Sequence, residues 1–175
     1  MEDFFLNDNK KLSLHKKLLQ YKNPDIEITL SKNVMSLLHN WRLMLIKYKD
    51  LPDDTLFGES DIFQAAIFDW DCIPWDSDYD AYRPFLQLWQ DNKFIIKPDK
   101  VEWLDYYNVI NNWRWYHYNW FKINCGTHAY IIPKNKREKI INVFSKYKEP
   151  SDIAILNGVK NKDIKVATLN YNAFK

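Results

Sequence analysis

Two acidic pairs, Glu59/Asp61 and Asp69/Asp71, stand nearest to chemistry in this sequence. Each follows a short apolar run: Leu56 and Phe57 before the first, residues 65–68 before the second. An apolar run bounded by turn residues suits a buried strand. A strand that ends in spaced carboxylates presents them at its C-terminal edge, where open α/β sheets bind ligands. Hard cations such as Mg²⁺ and Mn²⁺ take carboxylate oxygens together with substrate phosphates. The stretch therefore reads as a divalent-metal and diphosphate site, and the plain alternative is a solvated acidic turn. Asp69/Asp71 is the preferred pair, because more apolar residues precede it and Pro74 stops the strand soon after. Glu59/Asp61 is its rival.

Other candidates are weaker. Asp76, Asp78 and Asp80 have the spacing that opens an EF-hand loop, but Ala81 stands where Gly is required and Gln87 where the bidentate Glu belongs. They read as a helix-capping, solvated turn. Cys125 and His128 have the spacing of two zinc ligands without a matching pair nearby. Residues 103–121 are dense in aromatics, among them Trp113, Trp115 and Trp120, with Arg114 and His117 between them. Such rings can stack on bases or shape a sugar pocket, or simply fill a core.

The elements that must position these groups alternate. Helical spacing appears over 13–21, and again from Ser31 through Val34, Leu37, Leu38, Trp41 and Leu45. His39 and Arg42 fall on or beside the polar side of that second helix. A short strand is expected over 26–30, central neighbouring strands over 65–68 and 129–132, a helix face at Phe85, Leu88 and Trp89, and a possible strand over 94–97. Gly126 fits a turn that needs positive φ. Ile140, Ile141, Phe144 and Tyr147 mark a basic amphipathic helix, Pro150–Ile155 opens a short apolar segment, and 164–169 reads as a last strand. Alternating strands and helices argue for an α/β fold with a mixed, mostly parallel sheet flanked by helices.

A chain of 175 residues suits one domain, with residues 1–12 loose. Hydrophobic content of 46% and charged content of 27% are those of a globular class, and no apolar run is long enough to span a bilayer. The N-terminus lacks a basic secretory region, and two cysteines make no disulfide framework, so a cytoplasmic location is expected. A net charge of +2 argues against nucleic acid as a partner. Three glycines are too few for a Gly-rich phosphate loop.

The second half carries Gly126-Thr127-His128-Ala129-Tyr130-Ile131-Ile132, a helix over 135–148, Pro150-Ser151-Asp152, and a final strand with Ala173-Phe174. In this it resembles glycosyltransferase family 25, the lipopolysaccharide and collagen galactosyltransferase type. Either Glu59-Ser60-Asp61 or Asp69-Trp70-Asp71 takes the place of that family's acidic motif, and distance to Gly126 slightly favours the former. The resemblance implies a GT-A-like fold and transfer of a sugar from a nucleotide sugar to an acceptor glycan or other hydroxyl. It also implies Mn²⁺ or Mg²⁺ on the diphosphate. His128 and Asp152 would then be the catalytic, acceptor-side residues, and Gly126 and Thr127 would bind substrate with the three tryptophans. The family's Ser-His appears here as Ser31-Lys32, and 175 residues is short for a complete GT-A enzyme. Two other readings therefore stand beside the transferase: a catalytically inactive relative acting as a binding or structural module, and a nucleic-acid-binding protein using 103–121.

Overall fold

The computed structural model describes residues 32–60, 62–86, 97–112 and 126–174. The helix expected over 13–21, the strand over 26–30, all of the strand over 94–97 but Lys97, Ser31, Leu88, Trp89, Asp61, Trp113, Trp115, Trp120 and Cys125 lie outside the described residues.

Helix α1 spans Lys32–Lys47. Its buried Leu38, Trp41 and Leu45 recur at helical spacing, so one stripe faces the core. Arg42 is exposed and His39 half-buried. Trp41 meets Tyr130 edge-on at 5.8 Å and stacks on Phe144 at 6.2 Å, which ties α1 to the sheet and to the basic helix.

The strands are β1 (Leu56–Gly58), β2 (Ala81–Arg83), β3 (Trp103–Asp105), β4 (Ala129–Ile131) and β5 (Val166–Leu169), in the order β1-β4-β2-β5-β3. Among the described strands only the β2–β5 pairing is parallel, with Ala81 opposite Val166 and Arg83 opposite Thr168. The β1–β4, β2–β4 and β3–β5 pairings are antiparallel. The fold is thus α/β with a mixed sheet flanked by helices, but the sheet is not mostly parallel. Strand alternation divides the core. Tyr130 and Val166 face the helices α1, α2 (Tyr106–Asn112), α3 (Arg137–Lys146) and α4 (Ser151–Lys160). Tyr82, Ile131, Ala167 and Leu169 face the other way, under Phe68, Ile73 and Tyr171.

Residues 65–68 are not a central strand. They touch the end of the chain, where Ala65 and Ala66 donate to the Ala173 carbonyl, and a single bridge joins Gln64 to Phe174. Ile67 is 73% exposed, so the apolar run is not a buried one. The strands beside β4 are β1 and β2 instead. The short apolar segment that Pro150 opens is helix α4, and Phe85 and Leu86 are buried without being helical.

The pairings fix direction. β1, β2 and β5 run one way, β3 and β4 the other. One edge of the sheet therefore collects the C-terminal ends of β1, β2 and β5 with the approach to β4. The opposite edge collects the starts of β1, β2 and β5 with the exit from β4.

Candidate functional site

The first of these edges gathers most of the described site residues expected from sequence. Glu59 follows β1, and its N–H donates to the His128 carbonyl at 3.0 Å. Gly58 before it packs closely: a Cβ there would lie 3.0 Å from that carbonyl oxygen and 2.3 Å from Ile62 Cδ1. Gly126 adopts φ 114°, the conformation its sequence position called for. The turn delivers Thr127 inward, where its Oγ1–H donates to Glu59 Oε1 at 2.8 Å. Ser151, the first residue of α4, lies 2.8 Å from the same Thr127 oxygen. A hydroxyl carries one proton. With that of Thr127 given to Glu59, the Ser151 hydroxyl donates to Thr127.

Asp152 follows. Its Oδ1 accepts from the Ile153 N–H at 2.9 Å. Burial pushes its carboxyl above the usual carboxylate range. The backbone N–H groups of Ile153, Asp152 and Gly126, and the positive charge of Arg83, pull it part of the way back. Arg83 itself is fully buried, its guanidinium 3.9 Å from the Tyr106 ring and 4.3 Å from the Phe85 ring. Cation–π contacts of this desolvated kind are worth up to about 2 kcal/mol each. His128 extends the column, its ring 4.9 Å from Phe85. Thr127 and Ser151 are buried, while Glu59, Gly126, His128 and Asp152 remain half-buried.

The preferred acidic pair lies elsewhere. Asp69 and Asp71 are exposed on the segment that covers the other face of the sheet. Asp69 Oδ1 accepts from the Asp71 N–H at 2.9 Å, capping a single 3₁₀ turn over Trp70–Cys72. That is the geometry of a solvated, self-capped turn. Cys72 next to them is a half-buried free thiol, pushed up by burial. Of the two acidic motifs, the described part of the rival, Glu59, is the one joined to Thr127. No three His, Cys, Asp or Glu side chains among the described residues come together as a metal-ligand set.

Sequence reasoning missed Ser151, Arg83, Phe85 and Tyr106, whose roles come from packing between distant segments. It also misread Asp80. That residue is 1% exposed, not solvated. Its carboxylate accepts from Lys139 Nζ at 3.0 Å and from the Lys165 N–H at 2.8 Å, and pairs with Lys136 Nζ at 3.2 Å. Asp78 pairs with the Lys165 ammonium beside it. These lysines lie over fifty residues away in sequence, so spacing around 76–80 held no sign of them.

Comparison with known proteins returned no matching family model, no matching curated protein and no matching solved structure. No helix among the described residues is long and apolar enough to cross a membrane.

Proposed function

We propose that the chain is a transferase that moves a sugar from a nucleotide sugar to an acceptor hydroxyl, on the GT-A-like plan its second half resembles. One observation carries the reading. Glu59, Thr127, His128 and Asp152, drawn from three separate segments, meet at the sheet edge where β1, β2 and β5 end. Ligand sites in α/β sheets favour that edge. Asp152 is the general base, taking the proton of the acceptor hydroxyl. A carboxyl whose ionisation is opposed by burial has its pKa moved toward the range where a base works near neutrality. His128, half-buried beside Phe85, lies on the acceptor side. The described residues do not assemble a metal-ligand set. Mn²⁺ or Mg²⁺ dependence is an arm of the test.

A second reading has its own support. Thr127 and Ser151 are buried in bonds to each other and to Glu59, and Arg83 is enclosed between two rings. An edge so filled with its own side chains suits a binding or structural module that performs no transfer. Calorimetric titration with a panel of nucleoside diphosphates and nucleotide sugars, with and without Mn²⁺, decides between them. The transferase should bind at least one, and Asp152→Asn should keep binding while losing transfer. Absence of binding to the whole panel under both conditions would leave the module as the better account. Retention of single-stranded nucleic acid alone would point to the aromatic stretch at 103–121.

A further inference from the structure

We infer that Glu59 is a positioning residue: through the Thr127 and Ser151 hydroxyls it sets the first turn of α4, and with that turn the carboxyl of Asp152. The inference rests on the transferase reading for what Asp152 does, but not for how Asp152 is held.

Three observations lead there. First, Glu59 is fixed by its backbone, through its N–H on the His128 carbonyl and the close packing of Gly58. It can therefore serve as an anchor. Second, α4 begins without the usual support. Its N-cap is Pro150, which makes no side-chain hydrogen bond to the helix. The first turn of a helix has N–H groups that the helix itself cannot satisfy. Asp152 spends one carboxylate oxygen on the N–H of Ile153, so the carboxyl is part of the cap as well as of the site. Third, the Ser151 hydroxyl links this turn to Thr127, and the Thr127 hydroxyl hands the link to Glu59. An ionised carboxylate only accepts, so both donors point toward Glu59 and Ser151 is drawn to the β1–β4 end of the sheet. Asp152, one residue on, is aimed with it. Arg83, from β2, is a charged group that acts on Asp152, after burial and the backbone N–H groups of Ile153, Asp152 and Gly126. Glu59, His128 and, just before α4, the buried Glu149 are further titratable groups near it among the described residues.

The test follows the Asp152 carboxyl by carbon-detected NMR titration, together with amide hydrogen exchange at Ile153 and Ala154, on the free protein. Thr127→Val keeps the shape but neither donates nor accepts. Thr127→Ser keeps the hydroxyl. Thr127→Val should lower the Asp152 midpoint by on the order of half a pH unit as the turn loosens and hydrates, and should speed exchange at both amides. Thr127→Ser should restore wild-type values. Where Thr127→Val does not fold, Glu59→Ala carries the same expectation, because Glu59 is half-buried. An Asp152 midpoint unchanged in the folded hydroxyl-free or carboxylate-free variant overturns the inference, as does a Thr127→Ser protein that behaves like Thr127→Val. No ligand enters this experiment, so its outcome is separate from that of the nucleotide titration.

Discussion

At the edge of the sheet where β1, β2 and β5 begin, polar groups meet as opposite charges or as a cation over carbonyls. Asp80 takes Lys136 and Lys139, Asp78 takes Lys165. Arg137, buried, donates to the carbonyls of Ile132, Tyr48, Lys49, Leu51 and Pro52, and so holds the loop between α1 and β1. At the edge where those strands end, hydroxyls lead to one carboxylate, and a second carboxyl, Asp152, lies half-buried with its pKa raised. The first arrangement matches each buried charge with a partner and stabilises the fold. The second leaves a carboxyl in surroundings that oppose its ionisation, while the same carboxyl caps the first turn of α4. A carboxyl shifted by burial in this way marks a candidate site more specifically than a density of surface charge does.

Substitutions can break or sharpen this contrast. The largest effect is expected at Arg137→Met, which strips several carbonyls of their donor in a buried place and should cost about 3–5 kcal/mol in urea unfolding. Asp80→Asn should come next. It leaves Lys136 and Lys139 facing each other without their anion, but both ammoniums are partly exposed, so about 2 kcal/mol is expected from the same measurement. Asp152→Asn should behave differently, with a small change at neutral pH in the stabilising direction. The sign follows from linkage. A carboxyl whose folded pKa is raised contributes its stability below the ordinary value near 3.8 and loses it as pH rises through the folded value. Asparagine does not titrate, so its advantage over wild type should be greater at pH 7 than at pH 4. An advantage that shrinks as pH rises would show that Asp152 belongs with the stabilising edge. The smallest effect is expected at Asp78→Asn. Its carboxyl is fully exposed and held below the usual range by the hydrogen bond from Lys165. The unfolding midpoint should not move measurably.

How much of this was legible in the sequence depends on range. Leu38, Trp41 and Leu45 announced α1 and Ile140, Ile141 and Phe144 announced α3, because a helix buries a stripe written within a dozen residues. Gly126 announced its turn for a similarly local reason. The run at 65–68 misled because apolar content does not distinguish a strand from a covering loop, and the exposure of Ile67 was unreadable. Helix α4 was taken for an apolar segment without assigned structure, since Pro150-Ser151 lacks the strong capping pattern and Gly158 sits within it. Its glycine has a packing reason: a Cβ there would come 2.9 Å from Val143 Cγ1 on α3. At the site, Glu59, Thr127, His128 and Asp152 could each be proposed singly. The hydroxyl chain that joins them, the enclosed Arg83 and the lysines around Asp80 exist only once distant segments are packed together.

The strand order has a consequence in time. No two strands that lie side by side among the described residues are consecutive in the chain, and even the nearest paired positions, Tyr82 and Ile131, are far apart in sequence. No hairpin among the described strands is available to start the sheet. Each pairing must close a long loop before any ladder bond offsets the entropy of closure. The helices α3 and α4 are under no such constraint, being neighbours in sequence that pack through Val143 and Gly158. Refolding should therefore show helical signal early and sheet order late. The Glu59–Thr127–Ser151 link, which spans β1, β4 and α4, should be among the last contacts to form.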